Sequence, residues 1–257
     1  MKKSIKTALF IALALICAFA FASCGLFGDK DKDGDGSGNN NNNNNNNNSN
    51  NNGTEQAITT SAAWDKVMND TWTELTKSDA NYKIAQSGKE YYDDETEEYQ
   101  RTFYIAGNKS KAIYCEPQED DEVIYYYEIA NNKLYEYWSV DGGTNWDSDF
   151  YNNEYSSIGV FMNEYHCAVN IKGLVGKFDC FTYADGVYTA KEEKRTDIFT
   201  ALYGHAPEPE DETTDFQIKI TDGKVSKIFM VINSDDMDEQ TMTFTYGGQT
   251  VTLPNVG

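Results

Sequence analysis

Val123-Ile-Tyr-Tyr-Tyr-Glu-Ile-Ala-Asn-Asn-Lys-Leu-Tyr-Glu-Tyr-Trp-Ser139 decides the fold. Two runs rich in aromatic and β-branched residues flank Asn131-Asn132, a pair that tolerates the positive φ of a tight hairpin turn. Along the first run Val123, Tyr125, Tyr127 and Ile129 point one way, and Ile124 and Tyr126 the other. The returning run puts Tyr135 and Tyr137 on one side, and Leu134 and Trp138 on the other. A sheet with water on one face alternates apolar with polar, and this hairpin carries bulky groups on both. Each face should therefore have cover: helix on one, lid or ligand on the other. Tyr125, Tyr127, Tyr135 and Tyr137 are candidate ligand-facing residues, because a tyrosine joins an apolar ring to a hydrated hydroxyl.

The same punctuation recurs on both sides of this hairpin. Gly107-Asn108 divides Tyr99–Ala106 from Lys109–Cys115, and Asp185-Gly186 divides Phe178–Ala184 from Val187–Lys191. Asp222-Gly223 divides Asp215–Thr221 from Lys224–Asn233, and Gly247-Gly248 divides Glu239–Tyr246 from Gln249–Leu253. With Tyr82–Ser87 these predict a long antiparallel meander of about ten strands. One amphipathic helix precedes it, with Trp64, Val67, Met68, Trp72 and Leu75 at helical spacing and Ser61 available as N-cap. Between Phe150 and Lys177 the strand pattern breaks, and within this insert, 140–177, Ile158, Phe161, Met162 and Tyr165 predict a helical insert or lid. The expected class is mainly β with minor α, one sheet packed on the N-terminal helix.

Successive turns of a meander alternate between the two ends of its sheet. All five tight turns should therefore share one end, and the longer connections the other. Those connections are acidic: Glu90, Asp93, Asp94, Glu95, Glu97 and Glu98 in Lys89–Glu98, Glu116, Glu119, Asp120 and Asp121 in Glu116–Asp121, Glu208, Glu210, Asp211 and Glu212 in Lys194–Thr214, and Asp235, Asp236 and Asp238 in Ser234–Asp238. Four charged loops converging on one rim imply a cationic partner, against a bland reading of solvated loops.

At the N-terminus Lys2, Lys3 and Lys6 precede an uncharged run of 15 residues, Ala8 to Ala22. That run suits a signal-peptide core and is too short for a span of about 20 residues. It ends in Phe21-Ala-Ser-Cys24-Gly25, which resembles the lipobox of bacterial lipoproteins. The resemblance implies a signal peptide over residues 1–23, a lipid on Cys24, and an extracytoplasmic chain held at the cell membrane by that anchor. Phe21 departs from the aliphatic residue usual there, and Ala20-Phe21-Ala22 also fits release of a soluble secreted protein. Gly28 to Gly53, with ten consecutive asparagines from Asn39 to Asn48, has no apolar residue to offset the entropy of ordering. Residues 24–55 thus read as anchor plus tether, with a typical reach of roughly 28 Å. Asp29, Asp31, Asp33 and Gly34 match the start of a calcium loop, but Asn40 stands where the closing carboxylate belongs. A solvated acidic linker explains them better.

Residues 56–257 remain for a single domain. Loss of Lys2, Lys3 and Lys6 takes the formal charge from −21 to −24. Nucleic acid and anionic lipid surfaces repel such a chain. Cys115, Cys167 and Cys180 are an odd set, with Cys167–Cys180 the preferred disulfide against three small buried thiols. No metal spacing, nucleophile motif or phosphate loop joins His166 or His205, so neither cofactor nor catalysis is expected.

One amphipathic helix before a long meander, on a chain with a lipobox, resembles the LolA-like envelope lipid carriers. Phe181-Thr-Tyr-Ala-Asp-Gly-Val-Tyr188 and Ile218-Lys-Ile-Thr-Asp-Gly-Lys-Val-Ser-Lys-Ile228 look similar to phrases of that group. The resemblance spans Ala57 to Leu253, transfers no functional residue, and implies a half-open barrel that holds acyl chains on its concave side. The expected function is therefore non-catalytic: a cell-envelope lipoprotein binding or carrying an apolar or amphiphilic ligand, such as a lipid. The alternative is a surface interaction module, adhesin-like or wall-associated, with an acidic rim and no internal ligand.

Overall fold

Helix α1 (Ser61–Thr76) begins where Thr60 Oγ1 accepts a hydrogen bond from Ala63 N at 3.2 Å, so the cap lies one residue before Ser61. The computed structural model describes residues 57–92, 95–116, 121–151, 155–166, 170–207, 212–233 and 237–256. One face of α1 buries Trp64, Met68, Thr71 and Leu75, while Trp72 is only half-buried. Trp64 lies against the rings of Phe181 and Tyr188 at 4.8 and 5.2 Å, and its indole N–H donates to Leu174 O at 2.9 Å.

The strands are β1 (Asn81–Tyr92), β2 (Glu95–Ala106), β3 (Lys109–Cys115), β4 (Val123–Ala130), β5 (Lys133–Ser139) and β6 (Asp147–Tyr151). Helix α2 (Ile158–Tyr165) follows, then β7 (Phe181–Ala184), β8 (Val187–Ala190) and helix α3 (Arg195–Tyr203). The chain ends on β9 (Glu212–Thr221), β10 (Lys224–Asn233) and β11 (Met237–Tyr246). These form one eleven-stranded sheet in the order β6-β5-β4-β3-β2-β1-β11-β10-β9-β8-β7, antiparallel at every pairing. The chain thus meanders outward from β1 to one edge, crosses to the other, and meanders back until β11 pairs with β1. The protein is mainly β, with an open antiparallel sheet and, among the described residues, three α-helices.

Asn131 and Asn132 have φ of 53° and 59°, as a tight turn between right-twisted strands demands. Four expectations need correction. Gln249–Leu253 forms no strand. A hairpin there would have to pair with β11, whose two edges are already taken by β1 and β10. Asn81 fastens the segment instead, donating to Gln249 O and accepting from Gln249 N at 2.9 and 2.8 Å. Residues 147–151 do form a strand, and residues 195–203, taken for part of an acidic connection, form α3. Glu90, Glu97 and Glu98 also lie within strands, because the first hairpin runs on to Tyr92 and Glu95.

Register fixes the two ends. Tyr82 faces Ile105 and Tyr246, while Tyr91 faces Thr96 and Met237. The turns at 107–108, 131–132, 185–186 and 222–223 accordingly lie at one end, and the connections β1–β2, β3–β4, β5–β6, β8–β9 and β10–β11 at the other.

Candidate functional site

The core-bearing face of the central strands changes character along its length. On β1 it presents Tyr82, Ile84, Gln86, Gly88 and Glu90 in turn. Register sets Ile105, Phe103, Arg101, Tyr99 and Glu97 of β2 beside them, and Tyr246, Phe244, Met242, Gln240 and Asp238 of β11 on the other side. Three neighbouring strands thus run from buried rings and aliphatics at the tight-turn end to amides and charges at the other. Charged groups on an inward face need partners, since burial penalises the ionised form.

Gly88 makes the packing there possible. A Cβ on it would lie 2.1 Å from Cζ of Tyr99, so the tyrosine ring occupies the space of the missing side chain. From that seat Tyr99 donates to Asp238 Oδ1 at 3.3 Å and accepts from Gln240 Nε2 at 3.0 Å. Arg101 lies 4.6 Å from the Tyr99 ring centre and pairs through Nε with Glu116 at 2.7 Å. Burial and the facing Glu90 carboxylate push Asp238 up to about 6, and burial and Asp238 push Tyr99 up to about 12. Glu97, Glu90 and Asp238 are direct cross-strand neighbours, three acids on one rung. A carboxyl near 6 holds or gives up a proton close to neutrality.

Beyond Arg101 the face becomes aromatic. Tyr114 Oη lies within 2.5 Å of His166 Nδ1, just past the end of α2. His166 sits among Tyr127, Phe161 and Tyr125 at 4.9, 5.4 and 6.3 Å, and burial pushes it down to about 4. Tyr127 and Tyr151 both donate to Glu136, at 2.9 and 2.6 Å.

The structure brings only two of the four candidate tyrosines together. Tyr125 and Tyr127 share the core-bearing face, rings parallel within 6° and 6.2 Å apart. Tyr127 is 2% exposed beneath Phe161, and Tyr125 is half-buried. Tyr135 and Tyr137 pair with Glu128 and Tyr126, so they lie on the opposite face. Of the acids, Asp121 is exposed and Glu95 opens β2. Asp93, Asp94, Glu119, Asp120, Asp235 and Asp236 lie outside the described residues, as do Cys24 and Cys167. Cys180 is buried as a free thiol among the described residues, and Cys115 is exposed. Of the group built from Asp238, Glu90, Tyr99, Arg101, Gln240 and His166, the sequence offered only Glu90 and Asp238, and those as acids of exposed rim loops rather than of an inward face. Its signal is the period-two series Tyr82, Ile84, Gln86, Gly88, Glu90, which carries a charge onto the buried face.

Among the described residues no three His, Cys, Asp or Glu side chains are grouped to hold a metal, and no helix is long and apolar enough to cross a membrane. A depression of ≈ 150 Å³ on the other face, beside Ser87, Lys89 and Glu239, is polar. That is well under the 300 Å³ or more usual for a small-molecule site. No protein-family model matches the chain, and no curated protein matches it significantly. Geometry and chemistry alone carry the functional reading.

Proposed function

We propose that this chain is a non-catalytic cell-envelope lipoprotein, anchored through a lipid on Cys24, that binds or carries an amphiphile on the core-bearing face of its sheet. In this reading the sheet curves into a half-open barrel around its helices. The supporting observation is the polarity gradient: Tyr82 and Ile84 give way to Gln86 and Glu90, Ile105 and Phe103 to Arg101 and Glu97, and Phe244 and Met242 to Gln240 and Asp238. An amphiphile has the same gradient. Its apolar part would lie toward Phe103, Tyr114 and Tyr125, and its head toward Arg101, Tyr99 and Asp238. Entry requires α2 to lift Phe161 off Tyr127, since those rings touch at 4.8 Å.

One observation favours the second reading, a surface interaction module with no internal ligand. Tyr127, Phe103 and Met242 are already covered, at 2%, 0% and 2% exposure. Native mass spectrometry of the full-length protein from its own membranes separates the two. An added mass that organic solvent removes, beyond the anchor itself, supports the carrier. A single species at the mass of chain plus anchor, with no uptake of added lipid, overturns it. The anchor has its own test: a palmitate analogue should label the wild type and leave Cys24→Ala unlabelled.

A further inference from the structure

The opposite face of the sheet carries a second pattern, independent of the first. Lys83 on β1, Tyr104 on β2, Lys111 on β3, Tyr126 on β4 and Tyr137 on β5 are successive register partners, and so form one outward row across five strands. All five are half-buried. The Lys83 ammonium lies 5.4 Å from the Tyr104 ring centre and that of Lys111 5.3 Å from Tyr126. Among the described residues neither lysine meets a carboxylate. Glu128, the acid on the neighbouring rung, is held by Lys109 at 3.7 Å.

The β5–β6 turn borders the row. Asp141 ties that turn by accepting from Ser139 Oγ, Asn145 N and Thr144 N at 2.7, 2.9 and 3.0 Å. Trp146, whose indole N–H donates to Gly143 O at 3.0 Å, sets its ring 5.5 Å from Tyr126. A fixed tryptophan thus extends the aromatic surface beside the two cations.

We propose that this row binds a linear anionic glycan bearing a carboxylate on every second sugar, lying across the strands. Spacing is the first argument. Neighbouring strands are about 4.8 Å apart, so the row spans roughly 19 Å and its two lysines recur at roughly 10 Å. One strand spacing is close to the length of one sugar in an extended glycan. Each sugar then meets one side chain, with an ammonium at every second position. Tyrosine rings between them offer flat apolar surface for sugar faces and hydroxyls for their oxygens.

Charge is the second argument. The chain carries −21 overall, which opposes any dense polyanion. Duplex DNA presents one charge per about 1.7 Å, far denser than two lysines can neutralise. An alternating glycan presents about one per 10 Å, matched to Lys83 and Lys111. Along β1 the inward acids begin seven residues on at Glu90, about 24 Å from Lys83 at 3.4 Å per residue, three times the screening length of about 8 Å at physiological salt. Glu136, inward on β5 beside Tyr137, is nearer, but it accepts from Tyr127 and Tyr151 on its own face, and the row's two ammoniums keep the outward side locally cationic.

Calorimetric titration of the full-length protein in nonionic detergent tests this, with a hyaluronan octasaccharide, in which carboxylate and neutral sugars alternate. The wild type should bind it, Lys83→Gln with Lys111→Gln should weaken binding at least tenfold, and Lys83→Arg with Lys111→Arg should retain it. Thermal melts of both double variants should match the wild type, because the changed groups are on the surface. No binding of the octasaccharide overturns the proposal. So does undiminished binding by the glutamine variant, or equal binding of a neutral cello-octaose or of a short DNA duplex.

Discussion

Asp238 and His166 oppose each other as the pH changes. Asp238 ionises at about 6 in the fold against 3.8 for a free side chain, so between those values the native state holds more protons than the unfolded chain. Stability from this group therefore falls as pH rises through that window. His166 titrates at about 4 against 6.5 when free, so the unfolded chain holds more protons and stability falls as pH drops. At about 1.4 kcal/mol per pH unit each shift is worth at most ~3 kcal/mol, less where water reaches the group. The two slopes nearly cancel, and the wild type should show a flat stability profile from pH 4 to pH 6.5. Asp238→Asn should uncover the histidine and lose roughly 2 kcal/mol on acidification across that range. His166→Asn, which keeps an acceptor for Tyr114, should tilt the profile the other way. Urea melts at stepped pH measure both, and parallel profiles in the two variants would refute the assignment. The sequence offered Asp238 only as a rim-loop acid and gave His166 no place in a site. Asp238 stands beside Asp235 and Asp236 in a run that reads as solvent-facing loop, and only pairing with Glu90 turns it inward. His166 is a lone histidine in sequence, and its ring cage comes from β3, β4 and α2 together.

At the scale of elements, close approach separates what can yield from what cannot. Gly88 faces the far end of a tyrosine side chain, which can tilt once it gives up its bonds to Asp238 and Gln240. Gly159 in α2 faces backbone: a Cβ there would lie 2.0 Å from Leu75 O, where α1 and α2 meet. Gly88→Ala should thus cost about 1–3 kcal/mol, the usual range for overpacking that can relax. Gly159→Ala should cost more than that, because two helices must part. Denaturant midpoints decide it, and the reverse order would mean that the α1–α2 contact is not rigid. This contact was invisible in sequence, where Gly159 is one glycine in an apolar segment. The hairpins were legible because Asn-Asn and Asp-Gly pairs act through local backbone geometry. β6 was missed because Asp147-Ser-Asp-Phe-Tyr151 has neither alternation nor an apolar run, as suits a fully exposed edge strand. α3 did leave a signal, Ile198, Phe199 and Leu202 before Gly204 at φ 77°, hidden inside a long acidic stretch. The false strand at Gln249–Leu253 came from reading Gly247-Gly248 as one more local turn. Whether β11 had a free edge depends on its pairing with β1, some 160 residues earlier, and no local pattern carries that.

Among the described residues the central strands concentrate like charge toward one end, and this should govern the response to salt. Glu90, Glu97, Glu98, Glu116, Asp238 and Glu239 all lie in the half of the sheet that holds the longer connections. The cations there are few, and Lys89 and Arg101 already answer Glu98 and Glu116 at 2.7 Å each. Like charges directly opposite on neighbouring strands destabilise by about 0.2–1 kcal/mol a pair. Glu97–Glu90 and Glu90–Asp238 make two such pairs, so their relief is worth roughly 1 kcal/mol. In a domain of this size that corresponds to about 2–4 °C in melting temperature. Raising sodium chloride from 50 mM to 500 mM brings the screening length from about 14 Å to below 5 Å and should recover most of it. Salt also weakens the ion pairs, but Arg101–Glu116 is at least three-quarters buried on both sides and screened least. The melting temperature is therefore expected to rise with salt, and Glu90→Gln with Glu97→Gln should raise it at low salt and shrink the response. Glu90→Gln should also bring the pH at which Asp238 ionises down toward its free value, since Glu90 is one of the two causes of its rise. Stabilisation by salt and the pH profile are then two readings of one repulsion. A melting temperature that falls with salt, or a salt response untouched by the double substitution, would show that the charged end is already neutralised within the fold.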